Sequence, residues 1–173
     1  MFTEPVTGED ANVFSGLLGI PLLSADVLHE ETDRQAYFAA ARACQDHLFL
    51  DPDTGLRLKP TTGKNHPSYL FGSEVVALVS ARPKTLTLVF DQSLARGRER
   101  EQLAVKMNFL EKRGVVSFAY VSHACFILMS ASQELMTKAW TVVQGESHLP
   151  AARFIKNTRS HNKVISPESS RAW

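Results

Sequence analysis

Cysteine is scarce in this chain. Cys44 and Cys125 are the only two, both in apolar surroundings and without CxxC spacing. That argues against a disulfide framework or a thiolate zinc site and points to buried thiols in a reducing compartment. Long apolar runs are missing too, since nothing approaches the ~18 residues of a membrane span. The polar, acidic start MFTEPVTGEDANVFSG has neither the cationic head nor the apolar stretch of a secretory signal. A cytoplasmic location and no membrane partner are the expectation. Charge of one sign is also lacking: 19 Lys plus Arg face 18 Asp plus Glu, and a net +1 creates no global field toward nucleic acid or an anionic bilayer. No internal repeat or low-complexity segment interrupts the chain.

What is present suffices for one core. The chain has 173 residues, 44% hydrophobic and 21% charged, as in an ordinary single globular domain. The balanced charge conceals an asymmetry. Residues 151–173 hold five cations (Arg153, Lys156, Arg159, Lys163, Arg171) and one acid (Glu168), leaving residues 1–150 with fourteen cations and seventeen acids, net −3. A single domain over residues 1–148 followed by a basic, flexible tail over 149–173 is predicted. The tail would bind nucleic acid or a protein.

Periodicity places the elements. Residues 13–23 are apolar but broken by Gly16, Gly19 and Pro21, which favours a short strand or loop. Thr32 with Gln35 forms a capping-box signature, and Ala36, Ala40, Ala43 and Cys44 share a helical face, predicting a helix over about 33–46. HLFL reads as a strand ended by the Asp51-Pro52-Asp53-Thr54-Gly55 turn. Residues 57–68, rich in Pro, Gly, Thr and Lys, read as a loop. Over 69–79 a short helix capped by Ser73 is favoured over a strand. Residues 85–90 (TLTLVF) form the clearest strand. Leu103, Met107 and Leu110 mark a helix stopped by Gly114. Two strands follow over 115–121 and 125–130; their three-residue connection makes them antiparallel neighbours. A last helix, capped by Ser130 or Ser132, carries Met136, Trp140 and Val143 on one face. The resulting expectation is an α/β fold: a mostly parallel, Rossmann-like sheet ending in an antiparallel hairpin.

In open parallel sheets ligands bind beyond the carboxyl ends of the strands. Asp51 with Asp53, Asp91 with Ser93, and Ser122 with His123 fall there. Each has an ordinary alternative: a Pro/Gly turn, a helix cap, and a surface histidine, respectively. Residues 61–68 (TTGKNHPS) lack the GxxxxGK[ST] spacing of a phosphate loop. Ser93, His123 and Asp91 could be drawn as a catalytic trio, yet no G-x-S-x-G elbow accompanies them. Asp51, Asp53 and Glu74, with Lys59 or Lys64, would suit a Mg²⁺-dependent nuclease, although the PD…ExK arrangement is absent.

The LFLDPDTGL segment, Lys64, SYLFGSE and LTLVFDQS, in that order, resemble a bacterial group of proteins with a DPDNGL turn and, more distantly, the 23S rRNA adenine-N6 methyltransferases. These belong to the class I S-adenosylmethionine-dependent methyltransferases, and the resemblance spans roughly residues 33–143. It implies a sheet whose fourth family strand corresponds to 47–53, followed by two strand–helix crossings and a hairpin. It also implies S-adenosylmethionine as methyl donor, an amino nitrogen of nucleic acid as acceptor, and Asp51, Pro52 and Asp53 as the catalytic motif. Thr54, Lys64, Asp91, Ser93 and His123 would line the substrate pocket. In such enzymes the acid and the proline carbonyl accept hydrogen bonds from the target NH₂ and position its lone pair. Asp53 stands where the family has a second proline and Thr54 where it has an aromatic. Only 50 residues precede Asp51, against the roughly 80 that three βα units need, so a fold shortened on the N-terminal side is expected. The sheet edge left open would then invite pairing with a second copy.

Overall fold

Strands alternate their side chains between two faces, and here both faces are apolar, which requires cover on both sides. In the computed structural model, which describes residues 13, 15–17, 19–24, 28–63, 66–146 and 148–156, helices provide much of it. In chain order the elements are α1 (Arg34–Tyr37), α2 (Ala39–Ala43), β1 (Leu48–Leu50), β2 (Gly55–Arg57), β3 (Tyr69–Phe71), α3 (Gly72–Ala81), β4 (Thr87–Asp91), α4 (Glu99–Glu111), β5 (Val116–Val121), β6 (Cys125–Ser130), α5 (Gln133–Glu146) and β7 (Phe154–Lys156).

The class is α/β, with a five-stranded mixed sheet in the order β1-β4-β6-β5-β7. β1 and β4 pair in parallel, Phe49 opposite Leu88. The three-residue connection folds β6 back on β5, and β6 also lies against β4, so these pairings are antiparallel. A second, two-stranded sheet pairs β2 with β3 in parallel. Among the described residues no strand precedes β1.

The first face of the large sheet presents Val89, Ala119, Cys125, Ile127 and Met129. It packs against Val75, Leu78 and Val79 of α3 and Leu103, Met107 and Leu110 of α4 in one buried cluster. On the second face α5 covers β5 and β6, with the Trp140 ring 5.0 Å from that of Phe118. Phe90 and Phe126 stack beside them, centroids 5.0 Å apart.

Several expectations are refined. The helix over 33–46 is two short helices meeting at Phe38, and its cap is Asp33, whose Oδ1 accepts from the Gln35 and Ala36 N–H groups; Thr32 Oγ1 instead accepts from His29 N–H. Within 13–23, residues 13 and 15–17 are helical rather than strand or loop, whereas 19–23 are irregular as expected, with Gly19 at a φ of 65°. Residues 69–71 form a strand and the helix begins at Gly72. Its first free N–H, on Phe71, is taken by Glu74 Oε2 at 2.8 Å, so Ser73 is not the cap. Ser132, not Ser130, caps α5 through Leu135 N–H. Residues 149–156 belong to the folded domain, because β7 adds to the outer edge of β5 with Tyr120 opposite Phe154. The rest of the basic tail, 157–173, lies outside the described residues.

Arg82, just past the end of α3, is only 3% exposed, and among the described residues no carboxylate forms an ion pair with it. Its donors go to two carbonyls and a hydroxyl: Nε to Cys44 O at 2.9 Å, Nη2 to Asp46 O, and Nη1 to Thr87 Oγ1 at 3.1 Å. Burial pulls its pKa below the usual guanidinium value. It ties α3 to the chain entering β1 and to β4.

Candidate functional site

The carboxyl ends of β1 and β4 are joined by the turn between β1 and β2. Thr54 N–H donates to Ser68 O at 2.9 Å and Thr54 O accepts from Gln92 N–H at 3.1 Å. Gly55 follows at φ 128°, a backbone state disfavoured for residues with a Cβ, and a Cβ there would overlap Asp91 Oδ1. The turn therefore lies directly against the Asp91 side chain.

Asp91 is 1% exposed. Its Oδ1 accepts from Leu56 N–H (3.2 Å), Ser93 N–H (3.0 Å) and Ser93 Oγ–H (2.7 Å); its Oδ2 accepts from Lys106 Nζ at 2.6 Å. Lys106 Nζ also lies 2.7 Å from Ser93 Oγ. This buried ion pair satisfies its own lone pairs, as a stable buried charge must. A Ser–Lys pair at this distance could suggest a nucleophile with its base. Here the lysine is an ammonium paired to Asp91 and has no lone pair with which to take the serine proton. The pair is structural.

Around this network the charged lining is mixed with a cationic excess, Arg57, Arg98, Arg100 and Arg153 standing against Glu99 and Glu101. A cleft of about 360 Å³ is lined by Arg57, Tyr69, Ser93, Arg98, Glu101 and Lys106 among others. The Arg57 guanidinium lies 5.0 Å from the centre of the Tyr69 ring. An adjoining cleft of about 390 Å³ shares Arg98 and Glu101 and adds Arg100, Val121 and Arg153. Arg98 pairs with Glu101 at 2.9 Å, and Arg100 Nη2 donates to Ala152 O at 2.8 Å, linking the start of α4 to the segment before β7. Arg57, Arg98, Arg100 and Arg153 are all exposed.

Of the residues that the sequence singles out, the structure joins Asp91 and Ser93 in one network. Asp51 and Asp53 are exposed on the adjacent turn, with Pro52 and Thr54 half-buried between them. Although Asp51 is exposed overall, partial desolvation of its carboxyl in the turn pushes it above the usual aspartate range, and the charge of Asp53 acts in the same direction. His123 is exposed in the β5–β6 connection. Lys64 lies outside the described residues. Glu74 is committed elsewhere: Oε1 is 2.5 Å from Arg34 Nε and Oε2 is 2.9 Å from Arg34 Nη2. No group of three or more His, Cys, Asp or Glu residues converges among the described residues, so the carboxylate set of the nuclease reading is not assembled. The Cys125 thiol is pushed up to about 12, chiefly by burial and then by the nearby Asp91 charge, and is inert.

Lys106, Arg57, Arg98 and Arg100 are absent from the sequence-based set, and Arg153 figures in it only as a cation of the basic tail. Lys106 had a readable signal: it sits on the same face as Leu103, Met107 and Leu110, and a cation on an apolar stripe calls for a buried partner. The arginines had only a diffuse one, an Arg-rich start to the helix after LTLVFDQS and the cations of the tail, because their convergence depends on the pairing of β2 with β3 and of β7 with β5. No helix among the described residues is long and apolar enough to cross a membrane. No protein-family model, curated protein or solved structure matches the chain, which leaves the geometry of these clefts as the ground for its function.

Proposed function

We propose that the chain is a nucleic-acid-binding domain on a methyltransferase-like scaffold, taking single strands along the cationic rim. The observation that carries this reading is the ring of exposed arginines, Arg57, Arg98, Arg100 and Arg153, around two adjoining clefts beyond the carboxyl ends of β4 and β5. Arginine in exposed positions offers the planar donor fork that phosphate accepts, and ligands of α/β sheets gather at this end. The chemistry of the network supports binding over catalysis: Asp91, Ser93 and Lys106 use one another as partners and leave no activated nucleophile. Residues Arg159, Lys163 and Arg171 of the basic tail add three further cations.

Fluorescence anisotropy with a labelled single strand of about twelve nucleotides tests the reading across a salt series. Binding is expected, with a slope that flattens by about 0.7 for each phosphate-contacting arginine replaced by alanine. Removing residues 157–173 should flatten it further by up to about 2. No binding at low salt would overturn the proposal.

A second reading keeps the amino-methyl transfer implied by the resemblance. Asp51 and the Pro52 carbonyl would hold the acceptor NH₂, with Asp53, Thr54 and His123 nearby. The placement of Asp51 just beyond the carboxyl end of a parallel strand, with its pKa raised by partial desolvation, favours it. S-adenosylmethionine would supply the methyl group. Calorimetric titration with that donor discriminates: saturable heat supports the transferase, and none at millimolar donor removes it.

A further inference from the structure

The cleft between β2 and the first turns of α4 combines three features that the proposed function does not require. One wall is a planar cation over an aromatic ring, Arg57 above Tyr69. The floor is a buried ammonium, Lys106, with its side chain 11% exposed. The rim is Arg98, held by a carboxylate that competes for it, Glu101.

We infer that this cleft is a pocket for one nucleotide unit, with the base against Arg57 and Tyr69 and the phosphate on Arg98. The inference rests on the nucleic-acid reading above and narrows it to a place and a ligand. A volume of about 360 Å³ suits a small ligand and is too small for a folded protein element. Bases stack on tyrosine rings and on guanidinium planes alike; because Arg57 covers one face of the Tyr69 ring, the base would lie on the outer side of the guanidinium with the ring backing it. An ammonium has three N–H donors. Two of those of Lys106 go to Asp91 Oδ2 and Ser93 Oγ, and the third is the donor available to an acceptor on the base edge or sugar. Because Asp91 fixes the ammonium, this donor is positioned before any ligand arrives. The Arg98–Glu101 pair is exposed, 61% and 65% for the two side chains. Exposed pairs are weak, so a phosphate can displace Glu101 from Arg98. Glu101 then acts against binding, which gives the pocket an unusual signature: removing a side chain at its rim should tighten it.

The experiment uses the full chain, the labelled single strand of the previous test, and adenosine 5′-monophosphate as a separate probe. Tyr69→Leu is expected to weaken strand binding by about tenfold, the loss of the aromatic layer that holds the Arg57 plane under the base. Arg98→Ala should weaken it and lower the salt slope by about 0.7. Glu101→Gln should tighten both strand and nucleotide. Arg98 and Glu101 are surface residues, so their variants keep the fold; unchanged melting confirms that for all three. Adenosine 5′-monophosphate should bind to the wild type more tightly than adenosine does, and Arg98→Ala should abolish the difference. If the strand binds equally well to Tyr69→Leu, Arg98→Ala and wild type, the pocket is wrong and the wider binding reading survives. If the strand does not bind at all, that reading fails. The pocket is then judged by the mononucleotide alone, whose failure to bind at millimolar concentration overturns it.

Discussion

Asp91 is the residue on which the site's architecture depends, and its carboxylate bonds to β2, the chain after β4, and α4 at once. Breaking a buried ion pair by removing one partner costs about 3–5 kcal/mol, whereas removing both charges together costs much less. Asp91→Asn alone leaves the Lys106 ammonium buried beside a neutral amide; Lys106→Met alone leaves the carboxylate with its three other donors. The double variant Asp91→Asn/Lys106→Met is expected to lose about 1–3 kcal/mol less than the two singles summed, measured by urea denaturation. Additivity would show the pair to be uncoupled. Asp51 makes the opposite kind of contribution. Its folded-state pKa lies above the 3.8 of an ordinary aspartate, so the folded chain holds the proton more tightly than the unfolded one. The ionised group therefore disfavours folding, and the effect grows as pH rises from about 3.8 through the raised value. Asp51→Asn should raise the melting temperature at pH 7, with the gain vanishing toward pH 3. A gain that persists at low pH would assign it to something other than charge.

Among the elements, β7 is the most informative. Three residues suffice because Phe154 meets three rings, Tyr120 at 5.0 Å, Trp140 at 5.7 Å and Phe118 at 6.4 Å, while Lys156 Nζ sits 3.7 Å over the Trp140 ring. Phe154→Ala is expected to cost about 2 kcal/mol by chemical denaturation and to loosen Arg153 at the second cleft. A loss near zero would mean that β7 is docked without contributing to stability. No local pattern announced this strand, since Phe154 and Ile155 stand in a polar, basic stretch with no period to read. The same holds for β2 and β3, whose three-residue runs become strands only by pairing Gly55 with Tyr69 across a long connection. Where the pattern was local it was legible: TLTLVF and CFILMS have the period of two and the β-branched or aromatic content of buried strands, and Leu103, Met107 and Leu110 the period of a helix. The site divides along the same line. Asp91 and Ser93 are neighbours in sequence at a strand end and Lys106 stands on an apolar helix face, so these could be read, whereas Arg57, Tyr69 and Arg153 are brought to the clefts only through tertiary pairing.

For the whole molecule, the large sheet has two edges, β1 and β7, and they differ in protection. β7 is short and carries Lys156, a usual guard against further pairing. β1 presents Phe49, 43% exposed, and among the described residues no strand pairs with its outer side. Light scattering at rising concentration is expected to show a dimer that Phe49→Lys returns to a monomer; a monomer throughout would leave this edge without a partner. The position of β6 has a different consequence, one of timing. It is the central strand, bonded to β4 on one side and β5 on the other, yet it comes after both in the chain. During synthesis the ribosome must release residue 130 before β4 and β5 can be joined. Until then the β1–β4 pair has no continuous sheet to enter, and the apolar faces of α3 and α4 await Ile127 and Met129. Folding should accordingly be slow and governed by non-local closure. The nascent chain would be most prone to aggregate in the interval just before its sixth strand emerges.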